Sequence, residues 1–178
     1  MNRRFHWPDR DLMYTEPRYT RRPPCNHGPY TNRKPIRFDL GEGTNVWGGK
    51  PPERNWKLGN VVVISLLEYY THSHDVRYPI YNYSTPREDC ATFDCLIDEL
   101  VQRTTEGDMI YIHCFGGHGR TGLVFGCMAA KMGFDNPVEY VRKNYCPRAI
   151  ENDAQEIFVN EYESVSYTHL TLPTILLV

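Results

Sequence analysis

Apolar positions along the chain follow two rhythms, and their alternation predicts the order of elements. The first strong element is Val61-Val-Val-Ile-Ser-Leu-Leu67, a β-branched run of the kind that forms a buried strand. Ahead of it Gly41, Gly43, Gly48, Gly49, Pro51 and Pro52 predict a turn-rich approach. After it comes a second extended piece, Arg77 to Asn82, and then Ser84-Thr-Pro-Arg-Glu88. There Thr85 can cap a helix, Pro86 occupies its first position and Glu88 closes a capping box. Phe93, Leu96, Ile97, Leu100 and Val101 repeat at the spacing of one buried helical face. Gly107 ends that helix and Met109-Ile-Tyr-Ile112 predicts another strand. A glycine-rich loop follows, and Thr121 to Met132 reads as an apolar helix stopped by Gly133. Asn136-Pro137 with Glu139 opens one further helix, and Asn152 to Val165 forms the last, with Ile157, Phe158 and Tyr162 on a shared face. This order predicts an α/β domain over residues 38–165, with a central, mainly parallel sheet flanked by helices.

Composition narrows the picture. The 178 residues are 40% hydrophobic, which suits one globular domain and excludes a wholly disordered polymer. No apolar run reaches the length of about 18 residues that a membrane span needs, and Met1 to Leu12 lacks the apolar core of a secretory signal. The expectation is a soluble cytoplasmic protein that does not enter a membrane. The net charge of -2 hides an asymmetry, because residues 1–37 hold 9 basic and 3 acidic groups while residues 38–178 hold 11 and 19. Residues 1–37 also carry six of the 13 prolines and no sustained period, so they read as a basic, Pro-rich, poorly ordered arm. Such an arm is either a solvated tail or a contact for nucleic acid or another acidic surface. Residues 166–178 differ in character from the charged helix before them; they resemble translated adapter sequence and are expected to be a non-native tail, or else a final strand.

Six cysteines (Cys25, Cys90, Cys95, Cys114, Cys127, Cys146) are read as free thiols, since neither a signal nor a small disulfide-dense chain accompanies them. Cys25-x-His27 and His72-x-His74 have no second, correctly spaced pair to complete four ligands, so no structural metal is expected.

The chemistry concentrates in His113-Cys-Phe-Gly-Gly-His-Gly-Arg-Thr121. Between a strand and a helix N-terminus, its three glycines allow successive N–H groups to converge on one point, where the helix dipole adds positive potential. Arg120 can return over that point and hold two phosphate oxygens with its planar fork. Cys114 then lies at the floor of an anion cradle. An ordinary thiol is mostly protonated at neutral pH, so the amides, dipole and guanidinium must favour the thiolate for it to attack.

His113-Cys114-x5-Arg120-Thr121 resembles the signature of the protein tyrosine phosphatase and dual-specificity phosphatase superfamily. With Asn144-Tyr-Cys-Pro-Arg-Ala-Ile-Glu151 and Gln155, the chain is most similar to small phosphatase-like proteins of bacteria and their phages. The resemblance implies the Cys-based phosphatase fold and a two-step reaction without metal or other cofactor. Cys114 attacks phosphorus, a cysteinyl phosphate forms and water releases phosphate. The loop amides of Phe115, Gly116, Gly117, His118, Gly119 and Arg120, with the Arg120 side chain, would bind the equatorial oxygens. Thr121 would donate a hydrogen bond to the leaving thiolate. Low-molecular-weight phosphatases share the Cys-x5-Arg spacing but carry it at the start of the chain. A nucleotide-binding loop ends Gly-Lys-Ser/Thr, whereas this one ends Gly119-Arg120-Thr121.

Two departures stand out. Superfamily members carry a general-acid Asp on a loop upstream of the nucleophile; the matching position, 32 residues before Cys114, is Asn82. An amide is no useful proton donor, and losing a general acid costs about 10²- to 10⁴-fold. Asp89, Glu88, Asp75 and His118 are the substitutes within reach along the chain, with Glu88 engaged by the capping box. Second, Glu151 stands where many members have a water-positioning Gln, and Gln155 fits the second family glutamine or a polar helix position. Arg148 is a second phosphate contact at the pocket rim or a surface charge.

The leading expectation is a Cys-dependent phosphatase acting on phosphotyrosine, with phosphoserine and phosphothreonine also in range, in phosphorylated proteins. One alternative is a phosphate-binding pseudophosphatase with little turnover, because of Asn82. Another keeps the chemistry but takes RNA 5′-phosphates or phosphoinositides through the basic arm.

Overall fold

The computed structural model describes residues 24–25, 34–53, 60–69, 74–87 and 90–166. Most of the arm, His27, His72, Glu88, Asp89 and residues 167–178 lie outside these, and so do the readings placed on them. Among the described residues no helix is long and apolar enough to cross a membrane.

The expected α/β order is present. In chain order come β1 (Ile36–Phe38), β2 (Asn45–Gly49), β3 (Val61–Ser65), β4 (Val76–Arg77), α1 (Cys90–Thr105), β5 (Met109–His113), α2 (Gly119–Lys131), α3 (Pro137–Asn144) and α4 (Asp153–Ser166). They build a five-stranded sheet in the order β1-β2-β5-β3-β4. Only the β1–β2 pair is antiparallel; β2–β5, β5–β3 and β3–β4 are parallel. The strand before the glycine-rich loop therefore has a parallel neighbour on each side, and its last residue, His113, is level with Gly49 and Ser65.

The apolar helix after the loop is the hub of the core. Every residue of α2 from Gly119 to Ala130 is buried, and α1, α3 and α4 all pack on it. Phe125 of α2 stacks on Phe38 of β1 with ring centroids 4.5 Å apart, and Phe93 of α1 meets Phe158 of α4 edge-on at 5.7 Å. Aromatic pairs of this kind add about 1 kcal/mol each beyond the area they bury.

Four expectations need correction. The turn-rich approach contains a strand, β2, which lies inside the sheet, and β1 before it begins at Ile36, within the stretch read as the arm. The glycines of β2 mark close packing rather than turns: a Cβ on Gly48 would lie 2.8 Å from the Phe125 ring, and one on Gly49 would lie 2.6 Å from Tyr111 Oη. The second extended piece is shorter than expected, with strand pairing only at Val76–Arg77. Residues 84–87 are not helical, and Ser84, Thr85 and Pro86 are buried instead of opening α1. On α4, Phe158 and Tyr162 are buried while Ile157 is exposed. Residues four apart share a helical face, and a neighbour displaced by one residue is turned about 100° away from it.

Candidate functional site

The loop between β5 and α2 is fastened at Gly117. Its N–H donates to Cys114 Sγ at 3.2 Å, and its carbonyl accepts the Tyr145 hydroxyl at 2.6 Å. Gly117 has φ +69°, and a Cβ there would lie 2.6 Å from the Gly49 carbonyl carbon, so both backbone conformation and space require glycine. Cys114 is buried beneath this turn, while Phe115 is 55% exposed and projects from it. Burial, with the nearby Cys114 and Cys146 sulfurs adding to it, pushes the Tyr145 hydroxyl well above its ordinary value. Tyr145 thus remains a neutral donor, holding the loop from α3's C-terminal side.

Arg120, in the first turn of α2, is only 5% exposed. Its Nη1 donates to the Ile80 carbonyl at 3.1 Å and lies 3.9 Å from Glu68 Oε2. The other Glu68 oxygen accepts the Asn82 N–H at 2.7 Å. Asn82 is thereby brought to the site, on a segment attached through its backbone. Glu68 was not among the residues predicted from sequence. Its signal is positional: it is the first polar residue after the apolar run of β3, at the carboxyl end of a parallel sheet, where such sheets place their sites. Asp75 is corrected as a substitute acid, because its Oδ2 accepts the Val63 N–H at 2.8 Å in the middle of β3.

The start of α4 closes another side. Fully buried Gln155 accepts the Glu151 N–H at 2.9 Å and donates to the Ser84 carbonyl at 3.2 Å. Asn152, which sequence reasoning missed, donates to the Tyr83 carbonyl at 2.6 Å. A Cβ on Gly119 would collide with Glu151 Oε2 and lie 3.0 Å from Gln155 Oε1. Glu151 and Gln155 are therefore both set against the amino end of α2, and Gln155 is no surface helix position.

The remaining predicted residues divide. His113 is buried at the end of β5, its ring stacked on Tyr111 at 6.2 Å. Thr121 is buried one residue after Arg120, and its hydroxyl forms no hydrogen bond among the described residues; the hydrogen bond at the Cys114 sulfur comes from Gly117. Arg148 sits in the turn Cys146 to Ala149, which packs on α2 at Gly122. His118 does not cap α2 with its side chain; its Nδ1 lies 3.4 Å from Cys146 Sγ. Cys25 joins this pair, with the three ligand-type atoms all within 4.8 Å of one another. These are the described residues that could hold a metal.

Together the elements place a glycine-rich turn at a helix N-terminus, with a thiol beneath it, a buried guanidinium in the first turn of the helix and a carboxylate beside that guanidinium. Comparisons with known proteins agree with that geometry. The family model described as "Swiss Army Knife protein, DSP-PTPase phosphatase domain" matches residues 63–159. An uncharacterized protein of Methanocaldococcus jannaschii is 37% identical over 97 residues, 54% of this chain and 65% of that protein. A second from the same organism is 33% identical over 115 residues, 60% of this chain and 71% of that protein. The chain thus spans just under two thirds of the first of these relatives. Among solved structures, Tk-PTP in its active form superposes with a TM-score of 0.59 at 20% identity, covering 72% of this chain and 96% of that one.

Proposed function

The chain belongs to the DSP-PTPase phosphatase domain family, and on that premise we propose that it hydrolyses phosphate monoesters through a cysteinyl phosphate at Cys114. The observation that carries the reading is the hydrogen bond from Gly117 N–H to Cys114 Sγ beside a buried Arg120. The amide holds the sulfur beneath the turn, and the same loop presents its remaining amides to the oxygens around phosphorus.

In this mechanism the phosphate enters with its equatorial oxygens on the amides of Phe115 to Arg120 and on the Arg120 fork. Cys114 Sγ forms a bond to phosphorus as the ester oxygen leaves. In the second step water attacks phosphorus and the S–P bond breaks, returning the electron pair to sulfur. Glu151 and Gln155, set against Gly119, are the groups that orient this water. Thr121, whose hydroxyl forms no other hydrogen bond among the described residues, stabilises the leaving thiolate. Because Asn82 cannot deliver a proton, the substrates that fit best are those whose leaving oxygen needs little help. Aryl phosphates, and so phosphotyrosine in proteins, come ahead of phosphoserine and phosphothreonine.

The deciding experiment is p-nitrophenyl phosphate hydrolysis in chelator from about pH 5 to 8, with Cys114→Ser as the blank. Activity above the blank is the expected result. Folded protein with no activity above it would overturn the reading. It would favour the second one, a phosphate-binding module with little turnover, for which Asn82 is the specific support.

A further inference from the structure

A second cluster of soft ligands adjoins the phosphate loop, and its side chains take no part in the proposed hydrolysis. We propose that Cys25 Sγ, His118 Nδ1 and Cys146 Sγ form a binding site for one thiophilic divalent cation of the zinc class. In this site the ion clasps the arm to the phosphate loop.

The three ligands come from segments far apart in the chain: the arm, the loop itself and the turn after α3. Their ligand atoms nevertheless all lie within 4.8 Å of one another. Bond lengths of about 2.3 Å to sulfur and about 2.0 Å to nitrogen at a tetrahedral angle place S and N about 3.5 Å apart. His118 Nδ1 and Cys146 Sγ are 3.4 Å apart. No rearrangement of those two is needed, and Cys25 Sγ, within 4.8 Å of both, closes the third corner with a shift of at most about 1 Å.

Burial supports the assignment. Cys146 is fully buried, His118 is 4% exposed and Cys25 is half-buried against the same core. His118 is the N-cap residue of α2 yet its side chain serves none of the helix's amides. It faces the two sulfurs instead. Two thiols and an imidazole in one buried pocket are a soft donor set, which selects zinc-like ions over magnesium or calcium. With three protein ligands the fourth position remains for water or an exogenous ligand. Cys114 belongs to the cradle, where Gly117 N–H holds its sulfur, and is not part of this set.

The consequence is a link between the arm and the site. His118 lies two residues before Arg120, so an ion on His118 ties loop geometry to Cys25. The proposal concerns binding and stands whether or not the cradle turns over substrate.

The test is cobalt(II) titration of the full, reduced chain, read by the thiolate-to-cobalt charge-transfer absorption and by competition with zinc. Saturation at one equivalent is expected, with the band unchanged in Cys114→Ser and removed by zinc. Cys25→Ser, at a half-buried position, should weaken cobalt binding at least tenfold. Cys146→Ser should do the same, with circular dichroism confirming that each variant is folded. Absence of the band, its loss in Cys114→Ser, or wild-type affinity in folded Cys25→Ser would each overturn the proposal.

Discussion

Glu68 accepts the backbone N–H of Asn82 at 2.7 Å, and so a carboxylate stands next to the position that the resemblance matches to a general acid. Asn82→Asp would put a second carboxyl beside Glu68, and like charge raises the proton affinity of a carboxyl group. The variant is expected to raise turnover of alkyl phosphates by about 10- to 100-fold while changing p-nitrophenyl phosphate hydrolysis far less. The ratio of the two rates is the measurement. An unchanged ratio would show that position 82 does not address the leaving oxygen.

On the proposed mechanism Glu68 would also compete with phosphate for Arg120, its Oε2 lying 3.9 Å from Nη1. Glu68→Gln keeps an acceptor for the Asn82 N–H and removes the charge. Since the pair is partly exposed, its worth is modest, and inorganic phosphate should inhibit the variant about two- to fivefold more strongly. Weaker inhibition would mean instead that Glu68 chiefly positions the guanidinium.

Gly117 admits no side chain. Alanine there would meet the Gly49 backbone at 2.6 Å with φ near +69°. Strain of this kind costs about 1–3 kcal/mol before the clash is counted. Gly117→Ala should lower the melting temperature and reduce hydrolysis by more than about 10²-fold, because the displaced amide is the one that holds the Cys114 sulfur. A stable variant with wild-type kinetics would contradict the assignment of that hydrogen bond.

Tyr145→Phe removes the donor to the buried Gly117 carbonyl, an expected loss of about 1–3 kcal/mol at neutral pH. The pH dependence has a definite sign. Burial raises the hydroxyl above its ordinary value of about 10, so its contribution is fully present below about pH 10 and falls as pH rises beyond it, where the unfolded phenol ionises first. Urea denaturation of wild type and variant at about pH 7 and about pH 10.5 should therefore show the gap narrowing. A constant gap would mean that Tyr145 ionises equally easily in both states.

Glu151→Ala tests the second chemical step. If Glu151 orients the attacking water, its loss should slow release of phosphate from Cys114 by about 10²-fold, with less effect on formation of the cysteinyl phosphate. Rapid mixing would then show a burst of p-nitrophenol followed by slow turnover. A uniform fall in rate with no burst would assign Glu151 to packing against Gly119.

Much of the fold was legible wherever one signal acted alone. The β-branched run at Val61–Leu67 and the helical spacing of Phe93, Ile97 and Leu100 each have one physical reading, and both elements form. The strand–loop–helix frame around Cys114 and Arg120 was legible for the same reason, since its residues are contiguous in the chain, whereas its fastenings to Tyr145, Ile80 and Glu68 were not. Sequence reasoning failed where packing set the meaning of a residue. Gly48 and Gly49 look like turn formers, but they are strand residues that make room for Phe125 and Tyr111. Pro86 looks like a helix opener, but it is buried under the contacts of the segment before α1. Cys25 had no metal-ligand spacing along the chain, because its neighbours His118 and Cys146 arrive from other elements.

The segment over the cradle is held by four side chains, each bonded to main-chain atoms: Arg120 to Ile80, Glu68 to Asn82, Asn152 to Tyr83 and Gln155 to Ser84. None of these four bonds reads the side chain of the residue it holds. The segment is in effect a socket, gripping its occupant by the backbone and leaving the identity of the functional group open. Residue 82 can then be exchanged among amide, acid and alcohol without moving the others. A lineage built on this frame could gain or lose proton donation in a single codon while its grip on phosphate is preserved.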